Sequence, residues 1–265
     1  MNTKTDKTVV VTGGASGIGK ACTSVLAEKG WKVIVTDVDL DAAERVAEAI
    51  GGYAMHLDVT DEAAIRATAE QCERRYGPVS ALVNSAGILQ PPLAPEAFPT
   101  DHFDRVMAIN FRGTYLTSVA FGTPMAERGH GAIIAIGSMA SFRALPLHAY
   151  GPSKAAVVQM VQCLAAEWGR SGVRINAISP GYVRTPAMEA MIQKGLRDAH
   201  ALSDAASMGR MVDPLEIATV AAFLLSDEAS AITGVNLPVD CGWLVGAHAH
   251  TYGGVPPARN AREAA

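Results

Sequence analysis

The chain has 265 residues, a formal net charge of −4 and 49% apolar residues, enough to build one α/β domain around a sizeable core. That charge gives no reason to expect nucleic acid or an anionic membrane surface as a partner, and no apolar run approaches the roughly 20 residues that cross a bilayer. Cys22, Cys72, Cys163 and Cys241 are scattered with no Cys-x-x-Cys pair. They suit neither a zinc site nor a disulfide framework, and buried free thiols in a reducing compartment are expected. The polar N-terminus carries no secretory signal, so the expectation is a cytoplasmic protein.

In chain order, short β-branched runs alternate with longer helical stretches. Thr8–Thr12, Lys32–Thr36, Ala81–Asn84, Ala132–Gly137, Val173–Ser179 and Val235–Asp240 read as strands, and Leu57-Asp58-Val59 as the close of a further one. Strands apolar on both faces belong to a parallel sheet covered by helices. Helices are predicted over roughly Gly17–Lys29, Leu40–Ile50, Asp61–Tyr76, Asp101–Glu127, Tyr150–Arg170 and Pro214–Ser226, supplying the crossovers that parallel strands need. The fold class is therefore α/β: one Rossmann-like, doubly wound parallel sheet of about seven strands with helices on both faces. Residues 186–210, rich in Met and Ala and lacking a strand, read as a substrate lid, and residues 243–265 as an irregular tail.

The first strand ends in Thr12-Gly13-Gly14-Ala15-Ser16-Gly17-Ile18-Gly19, and a helix follows at once. Glycines there allow unusual backbone angles and close approach of a pyrophosphate, while the helix N-terminus offers free N–H groups. Asp37 closes the second strand about 20 residues on, where a carboxylate accepts from a ribose 2′-hydroxyl and repels a 2′-phosphate. With no positive charge at Val38, Asp39 or the glycine loop, NAD is expected over its 2′-phosphorylated form. Asp58 and Val59 fall where an adenine would sit. Asn84, Ala86 and Gly87 fall where small residues let a ribose approach the backbone.

Tyr150 and Lys154 are one helical turn apart, so the ammonium can approach the phenol. Bringing a tyrosine pKa from about 10 to near 7 takes about 4 kcal/mol, within reach of two close cations in a shielded cleft. The phenolate then accepts an alcohol proton as hydride leaves, or the phenol protonates a forming alkoxide. Ser138 ends the fifth strand at the same sheet edge and can hydrogen-bond the substrate oxygen; nearby Ser141 is a decoy for that role. Asn110 lies inside the long helix after the fourth strand, where propensity disfavours it, so an external task such as holding a proton-relaying water is expected.

In these motifs the chain resembles the short-chain dehydrogenase/reductase family, in its compact single-domain branch: Thr12-Gly-x-x-x-Gly17-x-Gly19, Asn84-Ser-Ala-Gly87, Asn110, Ser138, Tyr150-x-x-x-Lys154, and Pro180-Gly181-Tyr182-Val183-Arg184-Thr185. The likeness spans about residues 7 to 242. It implies that Tyr150 is the acid/base, that Lys154 holds the nicotinamide ribose and lowers the tyrosine pKa, and that Ser138 positions substrate. Asn110 resembles the proton-relay residue, while Thr185 and the backbone of Val183 resemble the carboxamide contacts, beside Pro180 and Gly181. The resemblance also implies a homotetramer. Ser85 stands where a second Asn is common, and Cys241 interrupts a frequent Asp-Gly-Gly.

A substrate pocket is expected from Met139, Ala140, the loop Phe142–His148, Gly181-Tyr182, the loop Leu89–Pro95 and the lid, where Met188, Met191 and Ile192 recur at helical spacing, a stripe that is more often ordinary packing; Arg143 and His148 are the polar exceptions. No metal is expected, since His248 and His250 have no carboxylate or thiolate companion. The expected activity is NAD-linked hydride transfer on a small secondary alcohol, polyol or hydroxy acid, or on the matching ketone. One alternative is a carrier-protein 3-oxoacyl reductase, disfavoured by Asp37 and the net charge. A catalytically silent nicotinamide-binding sensor is the other, disfavoured by the intact Ser138, Tyr150 and Lys154.

Overall fold

The computed structural model describes residues 7–246 and 253–256. Seven strands, β1 (Thr8–Thr12), β2 (Lys32–Asp37), β3 (Tyr53–His56), β4 (Val79–Asn84), β5 (Gly131–Ile136), β6 (Val173–Pro180) and β7 (Asn236–Val239), form one parallel sheet in the order β3-β2-β1-β4-β5-β6-β7. The chain first builds outward from β1 to β3, then returns to lay β4 on the other side of β1. The strand order therefore reverses between β1 and β4, and the crevice outside their carboxyl ends is where such sheets hold ligands.

Helices α1 (Gly17–Glu28), α2 (Leu40–Ile50), α3 (Glu62–Tyr76), α4 (Thr100–Met107), α5 (Thr114–Arg128), α6 (Tyr150–Trp168), α7 (Pro186–Gln193), α8 (Ala199–Asp204), α9 (Pro214–Leu225) and the short α10 (Trp243–Gly246) complete the described residues. Alternation along each strand separates two cores. Val9 and Val11 pack with Val33, Val35, Leu26, Val46 and Ala218 on one face; Val10 packs with Ile34, Phe121, Met125, Val157 and Val161 on the other. Helix starts follow local chemistry: Asp39 and Asp61 accept from Ala42 N and Ala64 N, and Asp213 and Glu216 form a reciprocal capping box ahead of α9.

Four differences from the sequence reading are physical. The third strand is Tyr53–His56, ahead of Leu57-Asp58-Val59; as a sheet edge it is half exposed and lacks the continuous apolar run of a central strand. The single helix predicted over Asp101–Glu127 is interrupted by a π-helical turn at Ala108–Gly113, which contains Asn110. Residues 186–210 hold no strand, as expected, but do fold into α7 and α8. All four cysteines are free, and Cys22 and Cys72 are buried with thiols pushed up to about 12 by desolvation; Cys163, however, is exposed and Cys241 partly so. No helix among the described residues is long and apolar enough to cross a membrane. His248, His250 and most of the tail lie outside the described residues.

Candidate active site

The carboxyl ends of β1, β4, β5 and β6 open into one cavity of about 670 Å³. Its floor begins with the glycine turn. Gly13 has φ +61°, and a Cβ there would stand 2.7 Å from Ala86 Cα, so the turn after β1 packs directly on the turn after β4. Thr12 holds that second turn: its hydroxyl oxygen accepts from Ser85 N at 3.2 Å and Ala86 N at 3.3 Å. The first turn of α1 lines the cavity through Ser16, Gly17 and Ile18, and the Ser16 hydroxyl makes no capping bond. Opposite Gly17, Thr185 caps α7; a Cβ on Gly17 would meet the Thr185 side chain at 3.5 Å, an ordinary contact.

These residues fit a dinucleotide. A helix N-terminus with an uncommitted hydroxyl faces a wall stripped of side chains at Gly13, Gly17, Gly87 and Gly181. Of the residues expected to bind it, Gly13, Ser16, Gly17, Ile18, Ala86, Gly87, Tyr150, Lys154, Pro180, Gly181, Val183 and Thr185 line the cavity. Five expected residues do not line it. A Cβ on Gly19 would run into the Gly13 carbonyl, so this glycine serves helix packing. Asn84 is turned into α5, accepting from Thr117 Oγ1 at 2.6 Å and donating to Ser118 Oγ at 2.9 Å. Val59 packs against Gly113. Asp58 accepts from the N–H and hydroxyl of Thr60, which hold its carboxyl below the usual range. Asp37 accepts from Ala15 N and Asp39 N, both at 3.1 Å, and so braces the glycine turn from the β2 side.

Tyr150 and Lys154 stand on the first turns of α6, above the end of β5, where Ser138 follows Gly137. Ser138 stands beside the Tyr150 hydroxyl, and its own hydroxyl accepts from Ala140 N at 3.1 Å. Burial raises the Tyr150 pKa, with Ser138 pulling the other way. This corrects the expected direction: burial outweighs the lowering expected from Lys154, whose ammonium stands 5.8 Å from the centre of the tyrosine ring. Lys154 donates instead to the Ile136 carbonyl at 2.7 Å, and burial lowers its pKa to about 8. Ser141 is set aside by geometry, since its hydroxyl donates to the Ser138 carbonyl at 2.6 Å, and it does not line the cavity.

Asn110, fully buried in the π-turn, clamps a neighbouring loop. Its Oδ1 accepts from Ile88 N at 2.8 Å and its Nδ2 donates to Ile88 O at 3.0 Å, with Ser153 Oγ 3.4 Å away. Ser153 in turn donates to the Tyr150 carbonyl at 2.7 Å. One chain of bonds thus runs from the Ile88 loop through the π-turn to the helix of Tyr150, the kind of task for which π-turns recur at functional sites.

On the substrate side, Ser138, Tyr150, Tyr182, Met139, Met188 and Met191 line the cavity, whereas Ala140 and Ile192 do not; Arg143 and His148 are exposed outside it. Two lining residues fall within the loop and lid expected to line the pocket but are not singled out by the sequence. Arg197, at the lid's turn before α8, and Lys154 are the charged side chains of the lining. Gln90 is 5% exposed, and its Oε1 accepts from Ala149 N at 2.7 Å and Tyr150 N at 2.9 Å, capping the helix that carries the tyrosine. Its Nε2 is buried without a partner, a loss worth about 1–3 kcal/mol for an amide. No sequence signal marks Gln90, because the cap is formed across 60 residues. Among the described residues no group of three or more His, Cys, Asp or Glu side chains could hold a metal ion.

Comparison with known proteins agrees with this geometry. A family described as enoyl-(acyl carrier protein) reductase matches residues 13–244. D-threitol dehydrogenase of Mycolicibacterium smegmatis is 40% identical over 90% of this chain and 93% of its own length. NAD-dependent glycerol dehydrogenase of Listeria innocua is 38% identical over 91% of this chain and 95% of its own. A crystal structure described as ribose-5-phosphate isomerase from Brucella melitensis 16M is 48% identical, with a TM-score of 0.93, covering 95% of this chain and 97% of that one.

Proposed function

Since this chain belongs to the short-chain dehydrogenase/reductase family, we propose that it is an NAD-linked dehydrogenase of polyols and small secondary alcohols. The observation that carries this is the pairing of Ser138 with the Tyr150 hydroxyl on the wall of a cavity that also holds the glycine cradle and Lys154. Bound nicotinamide supplies hydride acceptance in one direction and donation in the other. Ser138 and Tyr150 hold the substrate oxygen between them, and Tyr150 takes or returns its proton. Because burial keeps the phenol protonated, the resting site is prepared to protonate a forming alkoxide, and oxidation needs the phenolate. Lys154, with a pKa of about 8, is a cation at neutral pH and fixed by Ile136, so its charge is at hand below the ring.

Asp37 and the absence of a cation at Val38, Asp39 or the glycine loop support NAD as cofactor, as does the NAD dependence named for the glycerol relative, while the threitol and glycerol relatives support a polyol substrate. Residues 186–210 act as the lid in this reading, within a single domain that assembles as a homotetramer in the cytoplasm.

The test is NADH formation, followed by absorbance, across threitol, glycerol, galactitol, secondary alcohols, hydroxy acids and ribose 5-phosphate, each with NAD⁺ and NADP⁺. Turnover of polyols with NAD⁺ is expected. Conversion of ribose 5-phosphate with no change in nicotinamide absorbance, and silence on every alcohol, would overturn the assignment.

A further inference from the structure

We infer that Gln90 reads a second oxygen of the substrate, donating its free amide N–H to a hydroxyl or carbonyl adjacent to the reacting carbon. The inference rests on the dehydrogenase reading and adds the group that separates vicinal diols from simple alcohols.

The orientation of the amide is fixed by chemistry. Both groups against one end of the side chain, Ala149 N and Tyr150 N, are donors, so the oxygen must face them. That leaves Nε2, with two N–H bonds, on the opposite side, closed from solvent and unpartnered. A buried donor left unpaired is costly and rare in folded proteins, and it calls for a partner. Gln90 sits in the cavity wall between Leu89 and Pro92, and its cap joins it directly to Tyr150. The wall around it is mostly apolar, including Leu145, Leu147, Met188 and Met191, so it offers few competing acceptors. An oxygen on the carbon next to the one Tyr150 serves is the acceptor that the bound substrate brings. In this reading a small shift of the Gln90 loop brings the enclosed Nε2 within reach of the substrate oxygen. The contact would discriminate strongly, because a site built to hydrogen-bond a hydroxyl penalises the analogue that lacks it.

Butane-2,3-diol and butan-2-ol differ by one hydroxyl on the neighbouring carbon and form the matched pair for the test. Gln90→Glu keeps an oxygen acceptor for Ala149 N and Tyr150 N at a helix N-terminus that favours negative charge, but removes the donor. Expected is a fall of about tenfold or more in the ratio of kcat/KM for the diol to that for the mono-alcohol, carried mainly by KM for the diol. Gln90→Met, which loses cap and donor together, should lower the same ratio and also the melting temperature. A ratio unchanged in both variants, with the wild type active on both alcohols, overturns the role of Gln90 while the dehydrogenase reading stands. Melting of the protein with NADH and threitol gives the readout apart from turnover: threitol should raise the melting temperature of the wild type more than that of Gln90→Glu. A wild type that neither oxidises nor is stabilised by any polyol overturns both readings at once.

Discussion

The Lys154 ammonium donates to the carbonyl oxygen of Ile136 at 2.7 Å, while the same nitrogen stands 5.8 Å from the centre of the Tyr150 ring. The lysine is thus tied to the end of β5 and buried beneath the tyrosine, and burial brings its pKa from 10.5 to about 8. Between these two values the unfolded chain binds more protons at this position than the folded one, so folding stability from Lys154 rises with pH. Without its cofactor, the wild type should gain about 2 kcal/mol relative to Lys154→Met between pH 8 and pH 10. Denaturant melts of both proteins at each pH measure it. A difference that stays flat across that interval would place Lys154 in a solvated environment.

For Tyr150 the sign is opposite. Burial raises its pKa above the ordinary value near 10, so the phenol dominates at neutral pH. Oxidation, which needs the phenolate, should speed up as pH rises toward that pKa, whereas ketone reduction, which uses the phenol, should show no such rise. Tyr150→Phe should lower turnover by at least ~10²-fold in both directions, the usual scale of acid–base catalysis, while NADH binding measured by fluorescence stays near that of the wild type. Near-normal turnover would take the proton-transfer role away from Tyr150.

Asp37 has two tasks that substitution can separate. Its carboxylate receives Ala15 N and Asp39 N, and its place at the end of β2 is where a ribose 2′ substituent is expected. Asp37→Asn keeps an acceptor for the glycine turn but removes the charge; Asp37→Ala removes both. Both should reduce the preference for NAD over NADP by about tenfold or more, a modest share of the repulsion between close charges near a protein surface. Only Asp37→Ala should also lower the melting temperature. An unchanged cofactor ratio in the two variants would mean that another residue reads the ribose.

Asn110→Ala removes both bonds to the Ile88 main chain and leaves part-buried backbone groups unpaired, a loss of about 2 kcal/mol. In a protein of this size that corresponds to a fall of about 4–8 °C in melting temperature. Turnover should fall as well, because the clamp connects through Ser153 to the helix of Tyr150. A variant with wild-type melting would show that the π-turn holds its loop by other means.

The order of strands and helices was legible because central strands such as Thr8–Thr12 are apolar on both faces and their helices begin at Asp, Ser or Pro. The glycine turn and Ser138 were legible because each follows a strand end within a few residues, and Tyr150 with Lys154 because they stand one helical turn apart. What escaped depends on contacts distant in sequence. Gln90 acts on Ala149 and Tyr150 from a loop after another strand, and Arg197 reaches the cavity only because the lid folds back. Asn84 carries a recognisable motif, yet its amide serves Thr117 and Ser118, so a motif position alone does not tell whether a side chain faces the ligand or the core. The tyrosine shift was misjudged for a similar reason. A spacing of one helical turn shows that Lys154 can approach the phenol, but not that burial of the phenol outweighs that cation.

Gly87 separates binding from stability most cleanly. It does not have the positive φ of Gly13 or Gly17, so alanine is admissible to its backbone. A Cβ would lie 3.3 Å from Asn110 Oδ1 and 3.7 Å from Lys154 Nζ, which asks a few tenths of an ångström of the asparagine but projects a methyl group into the cradle between the two. Gly87→Ala should therefore melt close to the wild type while its affinity for NADH falls about tenfold or more, since the methyl occupies room that a bound ribose would need. Loss of stability without loss of affinity would make Gly87 a packing residue and move the ribose site away from the Asn84–Gly87 turn.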